Sequence, residues 1–271
     1  MSVLVFQLRG DFAAWGDIAV GEQRNILPFP TKSAVVGLIA AALGITRQEE
    51  EKQSALVNAI KYGVKVFHSE KNLSGYDNTF NNKPAYSGGY MRDYHTVQAP
   101  SEPDIRLFAK KYSRRPASRY DEIQAMKLGK SEGTILSYRE YHLDSYYVVG
   151  LTLIKPLFVS MEEIQMALET PRFHLYLGRK ACPLGWPLSP QVLEISDIKA
   201  AIEKADFKLE DSSLNAERYY GIPNKDRDSR FYMETDSGQP KNSGSRLEEY
   251  RTLPRSRARW QFDTQWMEVS A

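Results

Sequence analysis

The chain has 271 residues, of which 42% are hydrophobic and 26% charged, a composition typical of a globular protein with one large domain or two smaller ones. Lysine and arginine total 36 against 34 aspartates and glutamates. The net charge of +2 is too small to indicate nucleic-acid binding by overall charge alone. Any nucleic-acid site must therefore be a local basic patch.

Targeting and redox features predict a cytoplasmic protein without a membrane segment. Cys182 is the only cysteine, so an intrachain disulfide is excluded, as suits a reducing compartment. The first residues lack the basic segment and long apolar run of a signal peptide. The apolar run at 34–45 is too short to cross a bilayer and predicts a buried helix.

The N-terminal quarter predicts a strand, two helices and a second strand. Residues 3–8 are β-rich and almost continuously apolar, which is typical of a central strand. Thr31 is placed to cap the apolar helix that runs to about residue 43. A second helix is predicted over 48–60, and the alternation of 62–68 predicts the next strand.

Residues 69–133 are predicted to form a long insertion without a core-forming period. The first part is rich in Asn, Gly and Tyr, and the later part carries six basic residues between Arg106 and Arg119. Long segments of this kind are usually functional or disordered. Because such a segment buries little apolar area, we expect it to be mobile in the free chain.

After the insertion the sequence predicts two strands, a helix and a further strand. The strands are 134–142 and 145–154, and a capping box of Ser160 and Glu163 opens a helix to about residue 168. Residues 171–184 alternate like a strand that ends in a turn at Gly178. The order is that of an α+β, ferredoxin-like (RRM-like) βαββαβ core over residues 1–195.

Residues 196–271 predict a smaller, mainly β, C-terminal part. A short helix is predicted at 197–205 and strands at 217–222, 229–235 and 259–269. Arg255, Arg257 and Arg259 would face one side of a strand.

The motif inventory gives no indication of a metal or cofactor. The sequence has no phosphate loop, dinucleotide fingerprint, HExxH or CxxC motif, and its histidines are scattered at His68, His95, His142 and His174. A metal-independent ribonuclease needs only a base, an acid and a cation from His, Tyr and Lys. The chain contains all three residue types, so the inventory leaves that chemistry open.

The most informative stretch is 171–184. Basic and aromatic side chains surround Gly178, a combination that suits a phosphate chain carrying bases. The alternative is an ordinary strand with a solvated basic turn.

Six stretches together resemble the CRISPR-associated CasD family, the subunit numbered five of the type I-E Cascade complex in the RAMP superfamily. In chain order they are 14–16; 29–33 with 37–38 and 43–45; 92–97; 139–141; 171–172; and 176–180 with 182–184. They extend over about residues 1–190.

The resemblance implies a ferredoxin-like core with a thumb formed by the insertion. It implies a non-catalytic subunit that binds and caps the 5′ handle of the crRNA, beside the Cascade backbone subunits and the large subunit. Target DNA would be met indirectly, through the complex. In a related subtype the corresponding protein is itself an endoribonuclease that processes precursor crRNA, which is the alternative function.

The sequence and the resemblance together give one set of candidate RNA-binding residues: Trp15, Lys32, Ser33, Arg92, His95, Tyr138, Arg139, Tyr141, Arg172, Tyr176 and Arg179. Each has a structural alternative. Lys32 and Ser33 suit a phosphate at a helix N-terminus or merely a capped helix. Trp15 suits a stacked base or the core, and Cys182 is expected to be a small buried hydrophobe.

Overall fold

The computed structural model describes residues 2–67, 89–130, 134–207, 229–235, 240, 244–256 and 261–270. Its elements are β1 (Val3–Ala13), β2 (Gln23–Arg24), α1 (Lys32–Leu43), α2 (Glu50–Ala59), β3 (Ile60–Phe67), β4 (Tyr90–Gln98), α3 (Glu102–Tyr112), α4 (Arg119–Gly129), β5 (Thr134–Leu153), α5 (Met161–Glu169), β6 (Gln191–Leu193), α6 (Ile198–Lys204), β7 (Ser229–Thr235), β8 (Arg246–Ser256) and β9 (Gln261–Ser270).

The strands form a large antiparallel sheet in a mixed α/β fold. Its order is β6-β1-β5-β3-β7-β9-β8, and each neighbouring pair along this path is antiparallel. Two further strands pair with β5, and one of them, β2, does so in parallel.

The chain divides into two compact units. Unit 1 contains Met1–Asp17, Ile26–Met91 and Tyr141–Ala271, and unit 2 contains Ile18–Asn25 and Arg92–Glu140. The strands β7, β8 and β9 belong to unit 1 together with β1. The predicted domain boundary at residue 195 stays a prediction.

The core of unit 1 lies on both faces of β1, as its continuous apolarity predicts. Leu4, Phe6 and Leu8 belong to the larger core, which includes the apolar faces of α1 and α5. Val3 and Val5 point to the opposite face and belong to a second cluster with α6. Alternate residues of β1 therefore pack against helices on both sides of the sheet, with α1 and α5 on one side and α6 on the other.

The helix boundaries follow from local capping chemistry. The Thr31 side chain accepts a hydrogen bond from Ala34 N at 3.2 Å, and Gly44 ends α1 in the left-handed region at φ 77°. At α5, Ser160 and Glu163 form the predicted capping box. These predictions are confirmed.

Two strand predictions are wrong in detail. Residues 171–184 do not form a strand, because the turn at Gly178 and the prolines leave only a single bridge between Tyr176 and Pro183. The strand that follows α5 is instead β6, which pairs with β1 where the strand at 171–184 was expected. The two strands predicted at 134–142 and 145–154 are one continuous strand, β5, which passes through Asp144 at φ 49°.

The later part of the insertion is more ordered than the sequence predicts. Residues 102–129 form α3 and α4, and Phe108, Ala125 and Met126 are buried in unit 2. Four of the six basic residues form ion pairs: Arg106 and Arg115 with Glu102, Arg114 with Asp121, and Arg119 with Glu122. The helical period of these residues was not recognised among the many cations. The expectation that this part of the insertion buries little apolar area is therefore wrong. Residues 69–88 lie outside the described residues.

The C-terminal predictions have mixed outcomes. The short helix and the strand at 229–235 are confirmed, and β9 begins two residues later than predicted. The strand β8 was missed. The strand predicted at 217–222, together with Arg257 and Arg259, lies outside the described residues.

Glycines allow residues 171–190 to lie directly against the end of β1. Ala14 N donates to Leu177 O at 3.0 Å, and Gly185 N donates to Arg9 O at 2.8 Å. A Cβ on Gly178, which has φ +86°, would lie 1.9 Å from Ala14 O. The backbone of this loop is therefore fixed by contacts that only glycine permits.

We predict that Gly178→Ala lowers the free energy of unfolding by more than the roughly 1–2 kcal/mol that the left-handed backbone costs, since the new methyl group also meets a carbonyl oxygen. Gly16→Ala is the matched control, because a Cβ there meets nothing within 4 Å and should change stability by less than about 0.5 kcal/mol. Urea denaturation measures both. Equal stability of the two variants would show that the loop does not depend on this contact.

Candidate nucleic-acid interface

The loop around Gly178 is closed by its own backbone hydrogen bonds. Leu177 N donates to Cys182 O, and Cys182 N donates to Arg179 O, each at 2.8 Å. Cys182 is buried, and burial raises the pKa of its thiol. The cysteine therefore packs as a small apolar group, as expected, and the loop holds Arg179 and Lys180 at a fixed turn.

Arg179, Tyr141 and Phe12 form a cluster in unit 1 that we name the Arg179 platform. The Arg179 guanidinium carbon lies 4.7 Å from the centroid of the Tyr141 ring, and Phe12 meets that ring edge-on at 6.1 Å. Phe12 is 37% exposed and Arg179 is half-buried, so the platform reaches the surface. Arginine guanidinium groups that stack on aromatic rings are typical phosphate ligands.

Arg172 stands at the start of the same loop. Its backbone N–H donates to Ala42 O, in the last turn of α1, at 3.0 Å. A Cβ on Gly44 would lie 2.5 Å from Arg172 Cδ, so the stem of the arginine packs where the glycine leaves space. The residue as a whole is exposed, and Tyr176 further along is half-buried.

Lys32 has a different environment from the one expected of a phosphate ligand. It is 4% exposed, and its Nζ lies 2.6 Å from Glu234 Oε1. The other oxygen of Glu234 accepts a hydrogen bond from Tyr62 N at 3.1 Å. The structural alternative describes Lys32 better, and the neighbouring Ser33 is half-buried.

Trp15 also lies in the core. Its side chain is 2% exposed and meets Tyr147 edge-on, with ring centroids 5.5 Å apart. Burial in this cluster raises the pKa of Tyr147. A base could reach Trp15 only if the core opened.

A second aromatic and cationic cluster, which we name the Tyr138 cluster, belongs to unit 2. Arg92 lies 4.6 Å from the Tyr138 centroid, Tyr94 lies 5.2 Å from it, and Arg92 also donates to Gln23 Oε1. The strand β2 pairs with β5 at Tyr138 and at the half-buried Arg139. The cluster can offer a ring face and a guanidinium to one nucleotide.

His95 stands beside this cluster on β4, and its imidazole contacts the Asp93 carboxylate. Both residues are partly exposed.

The structure therefore brings together two subsets of the predicted residues, Tyr141 with Arg179 and Arg92 with Tyr138. Sequence reasoning missed Phe12, because the first strand was predicted to end at residue 8 and it continues to Ala13. It also missed Tyr94, although Tyr94 follows Arg92 at the two-residue spacing of one strand face.

Two further properties concern the described part of the chain. Its side chains contain no group of three or more histidine, cysteine, aspartate or glutamate residues that could hold a metal ion. None of its helices is both long enough and apolar enough to cross a membrane.

By its fold, the chain is a mixed α/β protein with a large antiparallel sheet, and the Arg179 platform adds a basic, aromatic loop to that sheet. The chain matches the family model described as CRISPR-associated protein (Cas_Cas5) over residues 3–267. It is 30% identical over 201 residues to the CRISPR system Cascade subunit CasD of Escherichia coli (strain K12), covering 74% of this chain and 75% of that protein. The chain belongs to the CRISPR-associated Cas5/CasD family, which confirms the resemblance found in the sequence.

Solved structures agree at the level of the fold. A chain of a structure titled "CRISPR RNA-guided surveillance complex" matches with a TM-score of 0.58 and 19% identity, over 99% of this chain and 89% of that chain. A second, titled "Crystal structure of Cas protein", matches with a TM-score of 0.52 and 22% identity, over 99% and 93%.

We predict that Lys32→Met destabilises the protein by about 3–5 kcal/mol, because it leaves the Glu234 carboxylate buried without its cation. The double variant Lys32→Met with Glu234→Leu should recover only part of that loss, because it removes the unpaired charge but leaves Tyr62 N without its acceptor. Lys52→Met is the control, since the Lys52 side chain is 53% exposed beside Glu49 and the substitution should change little. Urea denaturation measures stability. A Lys32→Met protein that is as stable as wild type but retains RNA poorly would assign Lys32 to the RNA instead.

Proposed function

We propose that this protein is a non-catalytic subunit of a type I-E CRISPR Cascade complex, in which it binds and caps the 5′ handle of the crRNA for antiviral defence. Family membership and the 30% identity to a Cascade subunit support this proposal. The observation that carries it is the Arg179 platform, in which a rigid loop presents a guanidinium over an aromatic ring at the surface.

The proposed RNA contacts follow from exposure and chemistry. Arg172 and Arg179 bind phosphates of the handle, and Tyr176 lines the same loop. Arg92 and Tyr138 act together, one on a phosphate and the other on a base face. His95 and Arg139 are further candidate contacts, on the opposite faces of β4 and β5 from Arg92 and Tyr138. Lys32 and Trp15 support the fold, because both are buried.

We further propose a ferredoxin-like core with unit 2 as the thumb. The elements β1, α1, β3, β5, α5 and β6 follow the βαββαβ order, and their four strands are neighbours in the order β6-β1-β5-β3. Unit 2 carries α3 and α4 as a hairpin with its own buried residues. In the complex, this thumb would contact the backbone subunits and the guide RNA, and the large subunit would also lie beside this protein. Target DNA is met only through the assembled complex.

The alternative function, a metal-independent endoribonuclease, receives less support from the described histidines. His142 is buried, and its Nε2 lies 2.8 Å from Leu27 O. His95 contacts Asp93, and His174 is exposed on another part of the chain, in unit 1. These positions favour structural and binding roles over a shared acid and base.

We predict that Arg179→Ala weakens binding of single-stranded RNA carrying the handle, and that it lowers the slope of log affinity against log salt by about 0.7 for one lost phosphate contact. Arg179→Lys should restore part of the charge but not the stacking on Tyr141. Fluorescence anisotropy at several salt concentrations measures both effects.

Lys52→Ala is the control for this experiment, because it removes an exposed cation on α2. It should leave the slope nearly unchanged. If the control and Arg179→Ala behave alike, the effect is one of net charge, and the platform does not contact the RNA. Cleavage of precursor repeat RNA by the isolated protein would support the endoribonuclease instead.

We predict that replacing residues 99–133 with a short Gly-Ser linker leaves unit 1 folded but lowers co-purification with guide RNA and backbone subunits. The reason is that α3 and α4 pack mainly within unit 2. Thermal melts of the free protein and pull-down of the assembled complex measure the two effects. A variant that unfolds would assign the hairpin to the core, and one that assembles normally would exclude the thumb role.

A further inference from the structure

A groove of about 750 Å³ lies in unit 1 between the end of α5 and the proline-rich segment that follows the Gly178 loop. Its walls are mainly apolar and aromatic, and three residues with polar groups, Glu169, His174 and Ser189, also line it. Grooves with apolar walls and a few polar groups are typical of small-ligand sites. The volume is ample for one planar heterocycle with its sugar.

One lining residue of the groove, Trp186, packs against two side chains of the sheet. The Arg9 guanidinium carbon lies 4.2 Å from the centroid of that ring, and Tyr146 lies 6.4 Å from it. Arg9 is only 4% exposed, so this support is rigid. Burial raises the pKa of Tyr146 to about 12, with Arg9 opposing the shift. Its phenol therefore stays protonated and donates to Gln7 Oε1.

A second aromatic residue that lines the groove, Phe173, is partly exposed. Phe173 is 47% exposed, yet its backbone N–H is fixed to Ala41 O at 3.2 Å. An exposed ring on a fixed backbone, in the same groove as a supported indole, offers two aromatic surfaces on which a flat ligand can stack.

The polar residues add selectivity. Gln165 Nε2 lies 3.2 Å from Pro190 O and 3.4 Å from Glu169 Oε1, which links the glutamate to the opposite wall. An ionised carboxylate only accepts hydrogen bonds, so it prefers a ligand edge with adjacent N–H donors. Among the nucleobases, guanine offers such a pair, N1–H and N2–H, on its Watson–Crick edge.

We infer that this groove binds one unstacked nucleobase of the RNA, with guanine preferred through Glu169. The inference rests on the proposed RNA-binding function. Arg172 borders the groove in sequence, and Arg179 and Lys180 follow in the same loop, so the charges that a phosphate chain needs adjoin the aromatic residues that a base needs.

The experiment measures binding of the full-length protein to a handle RNA in which each nucleotide in turn is replaced by an abasic one. One position should lose roughly 5- to 150-fold in affinity with wild type, as expected for one stacked base. The same position should lose little further in Phe173→Ala or Trp186→Ala. At that position, replacing guanine with inosine should weaken wild type but not Glu169→Gln, because inosine lacks the N2 amino group.

Met166→Ala is the matched control, since Met166 is 58% exposed on α5 and outside the groove lining. Trp186→Phe keeps a ring in place should Trp186→Ala fold poorly. If no position couples to these variants while Arg179→Ala still lowers the salt slope, the groove inference is overturned and the RNA-binding function stands. If neither set has an effect, both fail. Groove variants that impair only assembly with other subunits would make the groove a protein-docking surface, which also overturns the inference.

Discussion

The contact between β1 and the segment 171–190 is the constraint on which the rest of the site depends. Two glycines, Gly10 and Gly178, bring two backbones together at distances that no Cβ would permit, and at Gly185 a Cβ would be only 3.3 Å from Gly10 Cα. Because both sides of the contact are main chain, side-chain repacking cannot compensate for a substitution there. The loop that carries Arg179 is therefore held in place by a central strand, and the Arg179 guanidinium stays over the Tyr141 ring. Preorganisation of this kind reduces the entropy lost when a ligand binds.

The same segment supplies both the platform and the groove, and it does so because it is not a strand. A strand would have sent alternate side chains to opposite faces. Instead, the turn at Gly178 and the prolines direct Arg179 towards Tyr141, whereas Phe173 and Trp186 line the groove. Irregular backbone on a rigid sheet is a common way to place binding residues, since the sheet provides the stability and the loop the chemistry.

The sequence predicted elements whose signals are local and failed where distant residues decide. The caps at Thr31 and Ser160 depend on three-residue patterns and were predicted correctly. The burial of Lys32 could not be predicted, because its partner Glu234 lies 202 residues away. The helices α3 and α4 were missed because their charged residues looked like solvated surface charges in the sequence. In the structure such charges stabilise the two helices locally, as the ion pair of Arg114 with Asp121 does. For the candidate site, motifs indicated Arg179 and Tyr141 separately, but only the fold shows that they meet.

The buried pair of Lys32 and Glu234 links the C-terminal strand β7 to α1. A charge transferred from water into the interior costs several kcal/mol, so Glu234 can lie there only beside its cation. Its second oxygen accepts from Tyr62 N, which links α1, β3 and β7 at one point. A slip of β7 by one residue along β3 would turn Glu234 to the opposite face and leave Lys32 unpaired. The pair thereby selects the register of β7, and the stacking of Phe29 on Tyr232 at 4.3 Å follows from that register.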